Sequence, residues 1–197
     1  MNKGEETRSL IIEKSAELFN TLGYNGCSLN EIMEATQLKK GGIYNHFKNK
    51  DEIAMAAFEY SYSKVIKRFK EHIMKESSSY NKLLAIIEVF YSFGANPVVK
   101  GGCPIFNTAV DATDSHPILR KRAQEAINTL LKYVEIKIEE GKIEGEFKSN
   151  AKAPETALLL VSAMEGALMV SRVNDSTRTL RTAADLMKTY LKQNILI

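Results

Sequence analysis

Apolar residues in this chain recur at i, i+3, i+4 and i+7 in segment after segment, and no useful stretch alternates apolar with polar, a periodicity that leaves room for helices and little else. Residues 7–22 place Leu10, Ile11, Leu18, Phe19 and Leu22 on one side, with Gly23 as the residue that closes the helix. Ser28 and Glu31 have capping-box spacing ahead of Ile32 and Met33, so a second short helix runs to about Thr36. Residues 37–39 form a turn. In the third helix, Ile43 and Phe47 share an inward face. Asn49 and Glu52 open a long fourth helix that ends at Ser77-Ser78-Ser79, and a fifth follows over 81–94. After a loop at 95–102, Pro104 starts a shorter helix at its first position. His116-Pro117 opens a long one that Gly141 ends. A polar connection at 142–153 leads to two last helices, 154–173 and 176–194. The expected fold is all-α, with about nine helices.

Composition limits the partners. The 197 residues suffice for one or two domains, and 44% hydrophobic with 26% charged is ordinary for a globular chain. A net charge of +3 is too small for a polycation, so a nucleic-acid surface must be local. Lys39, Lys40, Lys48 and Lys50 form such an island, with no Asp or Glu between residues 39 and 50. It reads either as a phosphate footprint or as a solvated face. Cys27 and Cys103 have neither CxxC nor His/Cys ligand spacing, which argues against a structural zinc, and no metal or other cofactor is expected. The N-terminal segment is charged and lacks an apolar core, and the longest apolar run, 157–163, is too short to cross a bilayer. The expectation is a cytoplasmic protein with no membrane partner.

The short second helix, tight turn and basic third helix make a helix-turn-helix, whose second helix enters the major groove. The stretch Lys40-Gly41-Gly42-Ile43-Tyr44-Asn45-His46-Phe47-Lys48-Asn49-Lys50-Asp51-Glu52 resembles the recognition-helix signature of the tetracycline-repressor (TetR) family. Ala16, Phe19, Gly23, Tyr24, Ser28 and Ile32 match its first two helices, so the resemblance covers about residues 7–55. Tyr44, through its hydroxyl, and Lys40 and Lys50, through their charge, are suited to phosphates. His46 can donate to phosphate, and Gly41 permits close approach to the DNA backbone. Asn45 can pair with adenine, and Lys39 or Lys40 can reach guanine. Two positions depart from the family pattern: Lys39 stands where Ser or Thr usually caps the helix, and Gly42 replaces a small side chain that often touches bases.

The resemblance implies 1–50 as the DNA-binding domain and 51–197 as a ligand-binding and dimerising domain, with a cavity between the fourth and eighth helices. Candidate effector contacts are Phe58, Tyr62, Phe90 and Phe93, together with Phe106, Tyr133 and Met164. Few charged groups accompany them, which suits an apolar small molecule. Cys103 is a further candidate: at the cap of the helix begun by Pro104 its thiolate would be favoured. The stretch Gly102, Cys103, Asn107, Asp111, Asp114, Pro117, Arg120 is similar to a subset of the family, some of whose members sense electrophiles or oxidants. The alternative is a small buried residue that fills a helix start. Ser162 with Gly166 and Ala163 with Ala167 fall at i, i+4 and allow close helix approach; with Ala183 and Met187 they are the expected homodimer interface, which the family forms as a four-helix bundle.

The expected function is transcriptional regulation. A homodimer would bind near-palindromic double-stranded operator DNA as a repressor, and a small apolar effector, or modification of Cys103, would release it. An enzyme is disfavoured because His46, His72 and His116 are scattered and no nucleophile motif or Gly-rich phosphate loop is present. An architectural DNA-binding protein without an effector is the second alternative.

Overall fold

The computed structural model describes residues 2–197. Its helices are α1 (Lys3–Gly26), α2 (Leu29–Thr36), α3 (Lys40–Tyr44), α4 (Lys50–Ile73), α5 (Ser79–Ala95), α6 (Pro104–Ala112), α7 (Pro117–Ile143), α8 (Ala153–Val173) and α9 (Arg178–Tyr190), and a π-helical turn, Leu191–Ile195, follows α9. Among the described residues the nearest thing to a strand is one antiparallel bridge, Phe147 to Leu196. The chain divides into two compact units: Met1–Val65 with Val98–Gln124, and Ile66–Pro97 with Glu125–Ile197.

In the first unit α1 starts earlier than the apolar spacing suggests. Asn2 and Glu5 form a capping box: the Asn2 side chain accepts from the Glu5 N–H at 2.9 Å and the Glu5 carboxylate accepts from the Asn2 N–H at 2.9 Å. Helical geometry fails at Gly23 (φ 75°, ψ 171°), a backbone region open essentially to glycine alone. Ile11, Cys27, Ile32, Ile43, Phe47 and Ile53 close the core beneath α1, α2 and α3. A cavity of about 30 Å³, room for a water molecule, lies among Phe19, Asn20, Tyr24, Phe58 and Asn107.

In the second unit α5, α8 and α9 pack together around Leu83, Ile86, Ile87, Phe90, Leu160, Met164 and Leu180, all buried. Gly94 makes room for Leu180, because a Cβ there would stand 2.8 Å from its Cδ2. α5 is capped twice: Ser78 accepts from the Asn81 N–H, and the Glu146 carboxylate accepts from the N–H groups of Ser79 (3.1 Å) and Tyr80 (2.8 Å). Gly141 does not end α7, which continues to Ile143; the missing Cβ leaves space for the Phe147 ring, 2.3 Å from where that atom would be. α4 stops at Ile73, before the serine run, and α9 gives way to the π turn before residue 194. α8 as a whole is longer and more apolar than the run at 157–163: by length and composition alone it could cross a bilayer, yet half of its apolar stretch is buried inside the fold, as in a core helix.

Candidate nucleic-acid interface

The site is built on a short helix held from below. Ser28 caps α2 through a capping box with Glu31, and Gln37 turns the chain in left-handed geometry (φ 57°). Lys39 stands extended at the cap of α3 with no side-chain hydrogen bond to the helix. α3 spans only five residues, and its end is tightened by Asn45 N–H to Gly41 O (3.0 Å) and Phe47 N–H to Ile43 O (3.2 Å). Ile43 is fully buried and Phe47 nearly so, with the Arg8 guanidinium 4.8 Å above the Phe47 ring. These anchors leave Lys39, Lys40, Gly41, Tyr44 and Asn45 exposed and Gly42 and His46 half-exposed. The Lys40 ammonium lies 5.9 Å from the Tyr44 ring centroid, so a cation and a phenol share one edge of the helix. A Cβ on Gly41 would meet nothing within 4 Å, and one on Gly42 would only touch Leu38 at 3.7 Å, so nothing inside the fold requires either glycine.

Lys50 sits differently from the other lysines. Its ammonium donates to the Tyr24 carbonyl at 2.5 Å and lies 4.2 Å over the Tyr24 ring, capping the broken end of α1. Tyr24 collects further partners: its hydroxyl donates to Asp51, its N–H donates to Asp111 Oδ2 at 2.6 Å, and its ring meets His116 edge-on at 4.6 Å. His116 Nδ1 accepts from the Leu119 N–H at 3.1 Å, which puts the ring proton on Nε2, 3.6 Å from Asp51. Burial first, then the Asp51 hydrogen bond and charge, push the Tyr24 phenol up to about 12. Burial likewise raises the Cys27 thiol to about 11, reinforced by Glu31 and opposed by Lys50, as suits a packing residue.

The residues expected to meet an effector are distributed over both units. Phe58, Tyr62, Cys103 and Phe106 belong to the first, Phe90, Phe93, Tyr133 and Met164 to the second. Phe58 and Tyr62 stack at 6.2 Å beneath the Arg122 guanidinium, and Phe69, Phe90 and Phe93 form an edge-on aromatic cluster. Cys103 does occupy the cap of α6, but it is only 3% exposed. Of the residues expected at the dimer interface, Ser162 is exposed and Ala163, Gly166, Ala183 and Met187 are half-exposed, whereas Ala167 turns into its own unit. Leu159, Met169, Val173 and Leu186 add exposed apolar surface on α8 and α9. No group of three His, Cys, Asp or Glu side chains with metal-holding geometry occurs among the described residues.

Residues 11–57 match the family described as bacterial regulatory proteins, tetR family, and residues 79–187, more than half of the chain, match the tetracyclin repressor-like C-terminal domain. The chain belongs to the TetR family. A TetR transcriptional regulator from Chloroflexus aurantiacus J-10-FL, of known crystal structure, is 36% identical with a TM-score of 0.97 over 100% of both chains. A TetR-family regulator from Cytophaga hutchinsonii is 30% identical, with a TM-score of 0.89 over 98% of this chain and 96% of the other. An HTH-type transcriptional regulator of Lactococcus lactis, encoded in the lacX 3′ region, is 24% identical over 95% of this chain and 94% of its own. TetR-family proteins are DNA-binding transcriptional regulators, typically homodimeric repressors, and not enzymes. The TetR signature points to the recognition helix; it gives no sign that Lys50 is engaged by Tyr24 or that Asp111 reaches α1, since those partners lie 26 and 87 positions apart.

Proposed function

We propose that this regulator is a repressor whose homodimer binds a near-palindromic operator through α3 and leaves it when a small apolar effector binds. Residues 1–50 are the DNA-binding part, and 51–197 carry effector binding and dimerisation. The observation that carries this reading is the exposed row Lys39, Lys40, Tyr44 and Asn45 on a helix fixed from beneath by Ile43 and Phe47. In it Lys40, Tyr44 and His46 take phosphates, Asn45 and Lys39 read base edges, and Gly41 and Gly42 let the helix come close to the duplex. Lys50 contributes charge while tied to Tyr24. Two copies joined through α8 and α9, at Ser162, Ala163, Gly166, Ala183 and Met187, present two such helices, suited to half-sites about 34–36 Å apart. An effector displaces that spacing. Modification of Cys103 is the less favoured trigger, because its thiol is only 3% exposed and reaction needs access. As a DNA-bound regulator the protein works in the cytoplasm.

The test is selection of duplexes from a random-sequence pool by the purified protein. Enrichment of an inverted repeat, bound with an affinity that falls steeply with salt, is the expected result. Recovery of no common sequence would refute operator binding.

A further inference from the structure

α1 is broken at Gly23, and α6 takes up both groups that the break sets apart. A straight α-helix would pair the Tyr24 N–H with the Asn20 carbonyl. Here the Tyr24 N–H donates instead to Asp111 Oδ2 at 2.6 Å, and the Asn20 carbonyl accepts from Asn107 Nδ2 at 3.1 Å. Asn107 and Asp111 are one turn apart on the same face of α6, so that helix lies as a splint across the break. The fit is close: a Cβ at Gly23 would stand 2.6 Å from Asp111 Oδ1. The Asn20 side chain completes the joint, accepting from Asn107 Nδ2 at 3.0 Å and donating to the carbonyls of Lys100 (2.9 Å) and Gly102 (3.3 Å) in the loop ahead of α6. Gly101 (φ 112°) is confined by the same joint, since a Cβ there would lie 2.6 Å from the Asn20 carbonyl oxygen.

The break lies directly before the DNA-reading elements. The Cys27 N–H returns to the Gly23 carbonyl at 3.1 Å, and Ser28 then caps α2, so the direction of the last turn of α1 sets where α2 begins. Tyr24 also holds Lys50 and Asp51, the first residues of α4 after the recognition helix. Both ends of the helix-turn-helix are thus referred to one point, and α6 fixes that point.

We propose that Asn107 and Asp111 are positioning residues for DNA binding, a role that rests on the operator-binding function proposed above. They touch no DNA and act through Asn20, Gly23 and Tyr24. Asp111→Ala removes the acceptor of the Tyr24 N–H, and Asn107→Ala removes the donor to the Asn20 carbonyl. Asp111→Asn keeps a side-chain oxygen where the acceptor is needed.

The experiment uses the full-length protein and the duplex that the wild type enriches from a random pool. Binding is titrated per active molecule across a salt series, with helicity and oligomer mass measured alongside. The alanine variants should bind about tenfold or more weakly and with a shallower salt dependence, while Asp111→Asn stays within about threefold of wild type. If Asp111→Ala does not fold, Asn107→Ala and Asp111→Asn decide. A merely structural role would lower the active fraction and leave the affinity and salt slope of the folded remainder unchanged, and that result overturns the proposal. So does equal loss in Asp111→Asn and Asp111→Ala. A wild type that enriches no duplex overturns operator binding and the positioning role together, whereas variants that bind like wild type overturn the positioning role alone.

Discussion

Single residues here separate side chains tied into the fold from side chains left to solvent. Tyr44 is exposed at the edge of α3, whereas Lys50 is half-buried on Tyr24. Tyr44→Phe should therefore weaken DNA binding and change stability by no more than about 0.5 kcal/mol, as for surface substitutions generally. Lys50→Ala should cost about 1–2 kcal/mol of stability in urea denaturation, because a charge-assisted hydrogen bond and a cation–π contact are lost together. Unchanged stability would mean that Lys50 leaves Tyr24 in solution. Tyr24 supplies a pH-dependent component. Its phenol is raised from 10.0 to about 12, so the folded state holds the proton more tightly than the unfolded chain does. The stability this confers is complete below about pH 10 and is lost as pH rises through about 12. Alkaline titration of tyrosinate absorbance should show a late component that Tyr24→Phe abolishes, and the variant's stability should fall less steeply above pH 10. Both thiols are buried, and a disulfide reagent should modify neither promptly until denaturant is added.

At the level of elements, glycines distinguish local need from contact made elsewhere. Gly23→Ala places a side chain in backbone geometry open to glycine and against Asp111, and should cost about 2 kcal/mol or more. Gly41→Ala meets nothing within 4 Å and should be neutral to stabilising, by up to about 1 kcal/mol, since alanine is the better helix former. Thermal melting of the two variants separates these outcomes, and weaker DNA binding by Gly41→Ala would show that the space serves the duplex. Four helix starts were legible in the sequence: Ser28, Asn49, Pro104 and His116-Pro117 open helices where their chemistry says they should, whereas Ser78, which read as part of a break, caps α5. Asn2 was missed because the first turn of α1 has no apolar residue to reveal its period. Gly141 read as a stop, yet it is a packing residue for Phe147, and a local pattern carries no record of that contact. The exposure of Tyr44 and Asn45 was legible for a related reason: a segment anchored at Ile43 and Phe47 turns these residues between them outward, whereas Lys39, Lys40, Gly41 and Gly42 were singled out by their charge and by the resemblance. The joint of Asn20, Tyr24, Asn107 and Asp111 was legible only in part: Tyr24, Asn107 and Asp111 stand in stretches that resemble the family, but no local pattern says that α6 meets the break in α1, 87 positions away.

For the whole molecule the open question of assembly comes down to one stripe. Leu159, Met169 and Val173 on α8 and Leu186 on α9 are between 41% and 80% exposed in a single chain, an apolar stripe of the kind that a partner surface would cover. Gly166 lies in the same stripe, and a Cβ there meets nothing within 4 Å of its own chain. A side chain at 166 therefore has room in the protomer and little room between two closely apposed helices. In a two-fold interface every substitution occurs twice, so Gly166→Glu would set two carboxylates against each other in an apolar seam. The variant should keep wild-type helicity and run as a monomer in sedimentation. It should also bind operator far more weakly, because a single α3 offers half the phosphate contacts and no defined spacing. A dimer of wild-type affinity would exclude α8 as the interface. A monomer that still binds with full strength would show that one recognition helix suffices.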